Sequence, residues 1–484
     1  MKNHFSLRSP LSWLRLALLL TFLWPAGGSL AQEETPEAGT ASGPVYVVQA
    51  GDSLWDIALR FGVTMEELVA ANSLVDPGQL TEGAQLTIPG LEGVQGVLVT
   101  RPVAFGETLR SLSRRYQVPV EMLARLNHLS SPAELFAGYT LVIPEKDPAG
   151  TAVRRSLVAP GQSLLELAAL QGANPWGLVR MNSLQGTWGA LSGDILLLPG
   201  EQVEGPSALP GEIEAIELNP LSPGQGKTLT IRLAAGEVIS VTGTLLGHEF
   251  SFFPEGNGEF SALQGVHAMT EPGIYPLTLR GALPGGEGFS FSQSVYVSAV
   301  SYPYDRPLTV DPATIDPAIT RPEDAEWSAL TLPATPDRLW EGMFRMPSPL
   351  DQSYCVESGE CWTSRFGNRR SYNGSPYSFF HTGLDFAGGE GTEIYAPAPG
   401  IVVFAGPLTV RGNATMIDHG HGVYTGYMHQ SEILVEVGER VEPGQVIGLV
   451  GGTGRVEGPH LHWEVWVGGV QVEPLDWLSQ AYPP

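Results

Sequence analysis

A unit of fifty-five residues written three times constrains this chain more than any other feature. Gly51-Asp52-Ser53-Leu54 returns as Gly106-Glu107-Thr108-Leu109 and again as Gly161-Gln162-Ser163-Leu164. Asn72, Asn127 and Asn182 keep the same step, and so do Pro89, Pro144 and Pro199. A fixed period of this length means a string of small supersecondary units. Each unit reads as strand, helix, helix, strand. In the first, Tyr46-Val47-Val48 is a short strand. Ser53 caps a helix carrying Leu54, Ile57, Ala58 and Phe61 on one stripe. Gly62 stops it where a left-handed residue is wanted. Thr64 and Glu67 form a capping box for a second helix with Leu68 and Ala71 inward. Leu86-Thr87-Ile88 closes the unit and Pro89 ends it.

From the Y-x-V-x-x-G-D-S-L-W opening to L-T-I-P, this unit resembles the LysM module. The resemblance implies a βααβ fold that binds N-acetylglucosamine-containing glycans such as peptidoglycan or chitin. The modules are expected at 44–90, 97–145 and 152–200. The third departs furthest, through Pro160-Gly161-Gln162 and Gly172-Ala173-Asn174-Pro175, and its glycan binding is the least secure. A copy that keeps only the fold would serve as a spacer.

Residues 1–31 place the chain outside the cytoplasm. Lys2, Arg8 and Arg15 precede a nine-residue apolar run, Leu16 to Trp24, and Ser29-Leu30-Ala31 supplies a small-x-small cleavage pattern. That is the form of a secretory signal peptide, followed by a linker over 32–43. The run is short of the roughly 20 residues of a spanning helix. An uncleaved anchor is the competing reading. No later stretch reads as a membrane span. The chain carries a net charge of −25, and cleavage would remove three positive charges and no negative ones, leaving −28. Such a chain does not hold nucleic acid or an anionic polymer by charge. Its two cysteines, Cys355 and Cys361, suit a local disulfide in an exported protein, with free thiols or metal ligation as alternatives.

Residues 205–300 read as an all-β sandwich, Ig-like in its spacing of short alternating runs. Thr228–Leu233, Val238–Val241, Tyr275–Leu279 and Ser290–Val297 are its clearest strands. His248 and His267 have no histidine neighbours in sequence and read as structural. Residues 301–340 hold seven prolines and read as an extended, semi-rigid linker, with Leu339, Trp340 and Phe344 available to pack on the next domain.

Six of the ten histidines lie between residues 381 and 462. In His460-Leu461-His462-Trp463-Glu464-Val465 apolar and polar residues alternate. A strand of period two puts His460, His462 and Glu464 on one face. His381-Thr-Gly-Leu-Asp385 has spacing four, and Gly383 argues for an extended segment, in which i and i+4 share a face. Together these segments offer His, Asp and His to one zinc, with a fourth position for water. Three protein ligands plus water is the pattern of a catalytic site. An H-x-H pair alone is weak, and His419-Gly420-His421, at a glycine turn, is read as structural.

The segments H-T-G-L-D (381–385), A-P-A-P-G-I-V (396–402), D-H-G-H-G-V-Y-T-G-Y-M-H (418–429), V-E-P-G-Q-V-I-G-L-V-G (441–451) and T-G-R-V-E-G-P-H-L-H-W-E-V (453–465) stand in this order. With Thr363-Ser364-Arg365-Phe366-Gly367 they resemble the lysostaphin-like (LytM-like) zinc endopeptidases of peptidoglycan over essentially all of 341–480. The resemblance implies an open, mainly antiparallel β domain of duplicated-hybrid-motif type over 341–484. It implies one zinc per chain on His381, Asp385 and His462, with His429 and His460 as catalytic histidines. Tyr372 is the implied oxyanion donor, with Tyr377 its rival. Two departures stand out: Gln430 follows His429 where the family has Leu, and the Cys355–Cys361 loop is an insertion.

The expectation is a multidomain, secreted, wall-associated hydrolase of peptidoglycan. It would grip N-acetylglucosamine-containing glycan and cut stem or cross-link peptides, with no nucleic-acid partner. The alternative is a catalytically inactive activator of another wall hydrolase; a pure glycan sensor would leave the histidines without purpose. Oligomeric state, the bond cut and the origin of the target wall stay open.

Overall fold

The computed structural model describes residues 43–484 apart from 75–77, 79, 92–93, 95, 146–152, 202–204, 236–239, 387 and 484. The expected signal peptide and all but the last residue of the 32–43 linker lie outside the described residues, as do Val238 and Ile239. No helix among the described residues is long and apolar enough to cross a membrane.

Each repeat is a pair of short helices backed by two antiparallel strands. The strand pairs are Val45–Val47 with Gln85–Thr87, Val97–Pro102 with Thr140–Glu145, and Val153–Leu157 with Ile195–Pro199. The caps form as the side chains dictate. Ser53 accepts the Asp56 N–H, Gly62 takes φ 66°, and Thr64 and Glu67 cap each other reciprocally. The repeated asparagine has a defined task. In all three copies its amide donates to a helix carbonyl four residues back and to a strand carbonyl fifteen residues on, and its oxygen accepts the N–H of that same strand residue. It therefore ties the end of the second helix to the closing strand.

The copies differ in surroundings. Val45-Tyr46 pairs in parallel with Val97-Leu98, which merges the first two units into one four-stranded sheet. A Cβ on Gly51 or Gly161 would meet open space, whereas on Gly106 it would lie 2.3 Å from Pro206. The turn of the second copy is thus buried, and Gln293 Oε1 accepts its Gly106 N–H at 2.7 Å.

Residues 213–297 form two antiparallel sheets. One holds Ser240–Leu245, His248–Ser251, Gly273–Ala282 and Gly288–Val297; the other holds Ile213–Asn219, Thr228–Ala235, Phe253–Gly256 and Glu259–Gly265. Their inner faces share one apolar cluster, which Phe105 and Ala137 of the second repeat also enter.

The proline-rich stretch departs from the expected extended linker. Pro317–Ala329 is an α-helix with Asp316 as its N-cap and Pro322 inside it. Proline at the first helical position costs nothing, but Pro322 removes a helix hydrogen bond. Tertiary packing outweighs that cost: Trp327 is buried against Ala414, Met416, Tyr424, Met428 and Trp466. Trp340 and Phe344 are buried in the main core of the last domain, as their apolar character suggested.

That domain is a largely antiparallel sheet. Its central order runs Trp362–Ser364, Leu384–Phe386, Leu461–Val467, Val423–Ile433, Gly412–Gly420, Gly400–Leu408 and Arg440–Val441. Asp385 lies directly opposite His462, which in turn lies opposite Met428. The sheet thereby brings three distant histidine segments to one place. The disulfide Cys355–Cys361 is present, and Cys355 is fully buried.

Candidate metal centre

His381 Nε2 lies 2.9 Å from Asp385 Oδ1 and 2.9 Å from His462 Nδ1, and His462 Nδ1 lies 2.8 Å from Asp385 Oδ1. All three residues are buried. The strand here is shorter than the sequence suggested. Only Leu384–Phe386 is in the ladder, so His381 reaches Asp385 from a bend rather than along an extended run. Gly383 makes that bend possible, because a Cβ there would sit 2.4 Å from the Trp463 carbonyl and 2.8 Å from His462 Nε2.

The outer contacts set which nitrogens face inward. His381 Nδ1 is 2.9 Å from the Arg365 carbonyl, an acceptor that takes the ring N–H and leaves Nε2 bare. His462 Nε2 is 3.3 Å from Glu464 Oε1, which leaves Nδ1 bare. Two imidazole lone pairs and a carboxylate oxygen therefore converge. Three acceptors this close repel one another unless a cation or a proton sits among them. A donor set of two imidazoles and a carboxylate fits a divalent transition metal such as zinc. Among the described residues this is the one grouping of three potential ligands.

A proton can take the cation's place: burial works against a charged His462, but Asp385 and Glu464 hold its pKa above the ordinary value. Burial, with the Arg370 guanidinium beside it, pushes His381 down to about 4. Burial works against the Asp385 carboxylate, but His381 and His462 hold it well below its ordinary value. Arg370 Nη2 donates to Asp385 Oδ2 at 2.9 Å and so fixes the ligand's outer oxygen. Burial alone would raise Glu464, yet its hydrogen bonds hold it at about 2.

His429 and His460 stand beside the triangle, their rings 5.0 Å apart by centroid. His429 has φ 63° and sits where the strand register shifts, a bulge that turns its side chain out of the ladder. Its Nδ1 is 2.8 Å from the Thr453 carbonyl, and His460 Nδ1 is 2.9 Å from the Gly458 carbonyl. Each gives its N–H to the backbone and keeps Nε2 as a free acceptor. His460 Nε2 is 3.6 Å from Asp385 Oδ1. Burial, then His460 and His462, lower the pKa of His429 well below the usual value, so the ring is neutral at pH 7.

The five residues singled out from the sequence thus meet. Tyr372 lies under the Arg455 guanidinium, 4.6 Å from ring centroid to charge, and interacts with Arg370. Tyr377 instead donates to the Asp305 carbonyl at 2.9 Å and is over a third exposed. Gln430 fills its buried site by donating to Thr415 Oγ1. His419 and His421 lie elsewhere: His419 bonds the Pro399 carbonyl and Thr425, and His421 stacks on Phe253 at 4.0 Å. Sequence reasoning gave no role to Arg370, Asp305 or Trp327. Glu464 was visible as the third member of the H-x-H-x-E face, and its period of two was the signal.

Residues 379–474 match the sequence model of Peptidase family M23, and residues 46–89 and 103–144 match that of the LysM domain. Peptidoglycan DD-endopeptidase ShyA of Vibrio cholerae serotype O1 is 42% identical over 124 residues, 26% of this chain and 29% of ShyA. DD-carboxypeptidase/endopeptidase Mpg of Neisseria meningitidis serogroup B is 46% identical over 95 residues, 20% of this chain and 22% of Mpg. The chain therefore matches under a third of the length of these relatives. A crystal structure of a putative peptidase M23 from Pseudomonas aeruginosa aligns with a TM-score of 0.40 at 27% identity, covering 53% of this chain and 95% of that one. The chain carries LysM domains and, around its histidine cluster, a domain of peptidase family M23.

Proposed function

We propose that this chain is an exported, zinc-dependent endopeptidase that cuts peptide cross-links of peptidoglycan while its LysM modules hold the glycan. The observation that carries this is the convergence of His381, Asp385 and His462 beside two histidines whose Nε2 atoms are free acceptors. The DD-endopeptidase names of its relatives support the substrate class. Zinc on those three residues supplies Lewis acidity for a peptide carbonyl and acidifies water. His429 is neutral, held by Thr453, and takes a proton from the attacking water at Nε2. His460, held by Gly458, stabilises the charge that develops opposite it. Tyr372, beside Arg370 and Arg455, is the donor toward the carbonyl oxygen. The first module matches the LysM model and presents an open turn at Gly51, so it is the leading glycan site, and tandem sites raise residence even when each binds weakly.

The test is the chain from Gln32 onward on purified peptidoglycan, with and without a zinc chelator, following new free amino groups. Chelator-sensitive release is expected, and the new amino terminus names the bond. A chain that binds no zinc and releases nothing would instead be the inactive activator.

A further inference from the structure

The helix Pro317–Ala329 precedes the segment that matches peptidase family M23, yet it bonds Glu464 and the 409–411 turn, which in turn meet His462 and His429. Trp327, 1% exposed, donates from Nε1 to Glu464 Oε2 at 3.0 Å. Glu464 is also 1% exposed, and its Oε1 faces His462 Nε2. Trp466 Nε1 donates to Oε2 at 2.8 Å and Gln471 Nε2 to Oε1 at 3.2 Å. Four residues before Trp327, on the same helix face, Glu323 accepts the backbone N–H groups of Thr409, Val410 and Arg411 at 2.8, 2.9 and 3.0 Å. The Arg411 carbonyl then accepts the His429 N–H at 2.9 Å.

We propose that this helix is a working part of the metal centre, with Trp327 and Glu464 as positioning residues that fix the His462 ring with Nδ1 bare and facing the ligand triangle. A neutral imidazole has two tautomers, and the partner of one nitrogen decides the state of the other. Glu464 can only accept, so it holds the Nε2–H tautomer. A buried carboxylate is tolerable only when its lone pairs are met. The two indoles can only donate, so Oε2 is anchored and Oε1 stays aimed at His462. Trp327 supplies one of those two anchors from outside the sheet. Glu323 extends the same helix to the turn that seats His429.

The inference rests on the reading of His381, Asp385 and His462 as zinc ligands. The test measures zinc affinity of the chain from Gln32 onward by competition with a chromogenic chelator, together with the melting temperature without metal. Trp327→Phe keeps the ring and removes the N–H; Glu464→Gln removes the charge. Phe404→Leu loosens the T-shaped contact on Trp327, 5.6 Å between centroids, and leaves the hydrogen bond. Outer partners of metal ligands typically set affinity by about 10- to 100-fold. The expected result is about a tenfold loss for Trp327→Phe and more for Glu464→Gln, with Phe404→Leu at wild-type affinity despite a lowered melting temperature. Wild-type affinity in the first two variants overturns the proposal while leaving the zinc reading intact. So does an equal loss in Phe404→Leu, which would assign the effect to packing. A wild-type chain that binds no zinc removes the metal centre and this inference with it.

Discussion

Replacing Asn127 by Ala tests the account of the repeats. The side chain, 6% exposed, donates to the Leu123 carbonyl at 2.8 Å and the Val142 carbonyl at 2.9 Å, and accepts the Val142 N–H at 2.6 Å. Alanine leaves three backbone groups without that partner. Each buried, unmet group costs about 1–3 kcal/mol, and water entering the vacated space recovers part. The expected total is about 3 kcal/mol. That is a large share of what so small a core can supply, since among the described residues the module's own cluster holds eight buried apolar side chains. The assay is amide hydrogen exchange over residues 97–145 of the full chain. Protection there should fall about 100-fold, as each 1.4 kcal/mol is a factor of ten, while the sandwich keeps its protection. Asn127→Asp should cost more at neutral pH, because a carboxylate would face two carbonyl oxygens. Asn72 is only partly buried, so Asn72→Ala should cost less than Asn127→Ala. A change below about threefold for Asn127→Ala, or an aspartate tolerated as well as asparagine, would refute the clamp.

Gly383→Ala forces a Cβ to 2.4 Å from the Trp463 carbonyl, so it should cost about 2 kcal/mol and weaken zinc binding, read by unfolding and by chelator competition. Burial, at the seam with the sandwich, pushes Glu473 up to about 7, above its value of 4.5 in the unfolded chain. Its favourable contribution is thus full below about 4.5 and lost as pH rises through 7, at most about 3 kcal/mol. The melting temperature should fall between pH 5 and 8, and Glu473→Gln should flatten that fall; parallel profiles would show that Glu473 is not responsible. Trp55 is 60% exposed beside the open turn of the first module, so Trp55→Ala should leave melting unchanged and lower co-sedimentation with peptidoglycan.

The parts readable in the sequence are those where side chains repeat with the backbone period. Ser53, Gly62, Thr64 and Glu67 act on neighbours within four residues, so their roles can be read from spacing. His460, His462 and Glu464 share a face because strands alternate. The repeated asparagine was visible as a fixed position but not as a clamp, since its strand partner lies fifteen residues away. The burial of the second module's turn was invisible as well, because Gly106 meets Pro206 and Gln293 only through the tertiary fold.

The proline-rich stretch shows why composition misplaces a domain edge. Proline content reports local stiffness, and a helix with Pro322 inside it has poor intrinsic propensity. Yet this segment supplies groups that the histidine-bearing sheet lacks. Asp305 accepts from Ser364 at 2.8 Å and Asn368 at 2.7 Å, and pairs with Arg370, the residue that holds Asp385. Tyr304 and Leu308 form bridges to Arg369 and Tyr372. Glu323 and Trp327 complete Arg411 and Glu464. Buried charges such as Glu464 and Arg411 require partners wherever the chain can provide them. A boundary drawn at 341 by composition would leave both without some of them. The physical unit that positions the histidines therefore begins near Tyr304, and hydrogen bonds that buried polar groups must make, rather than the density of prolines, set that limit.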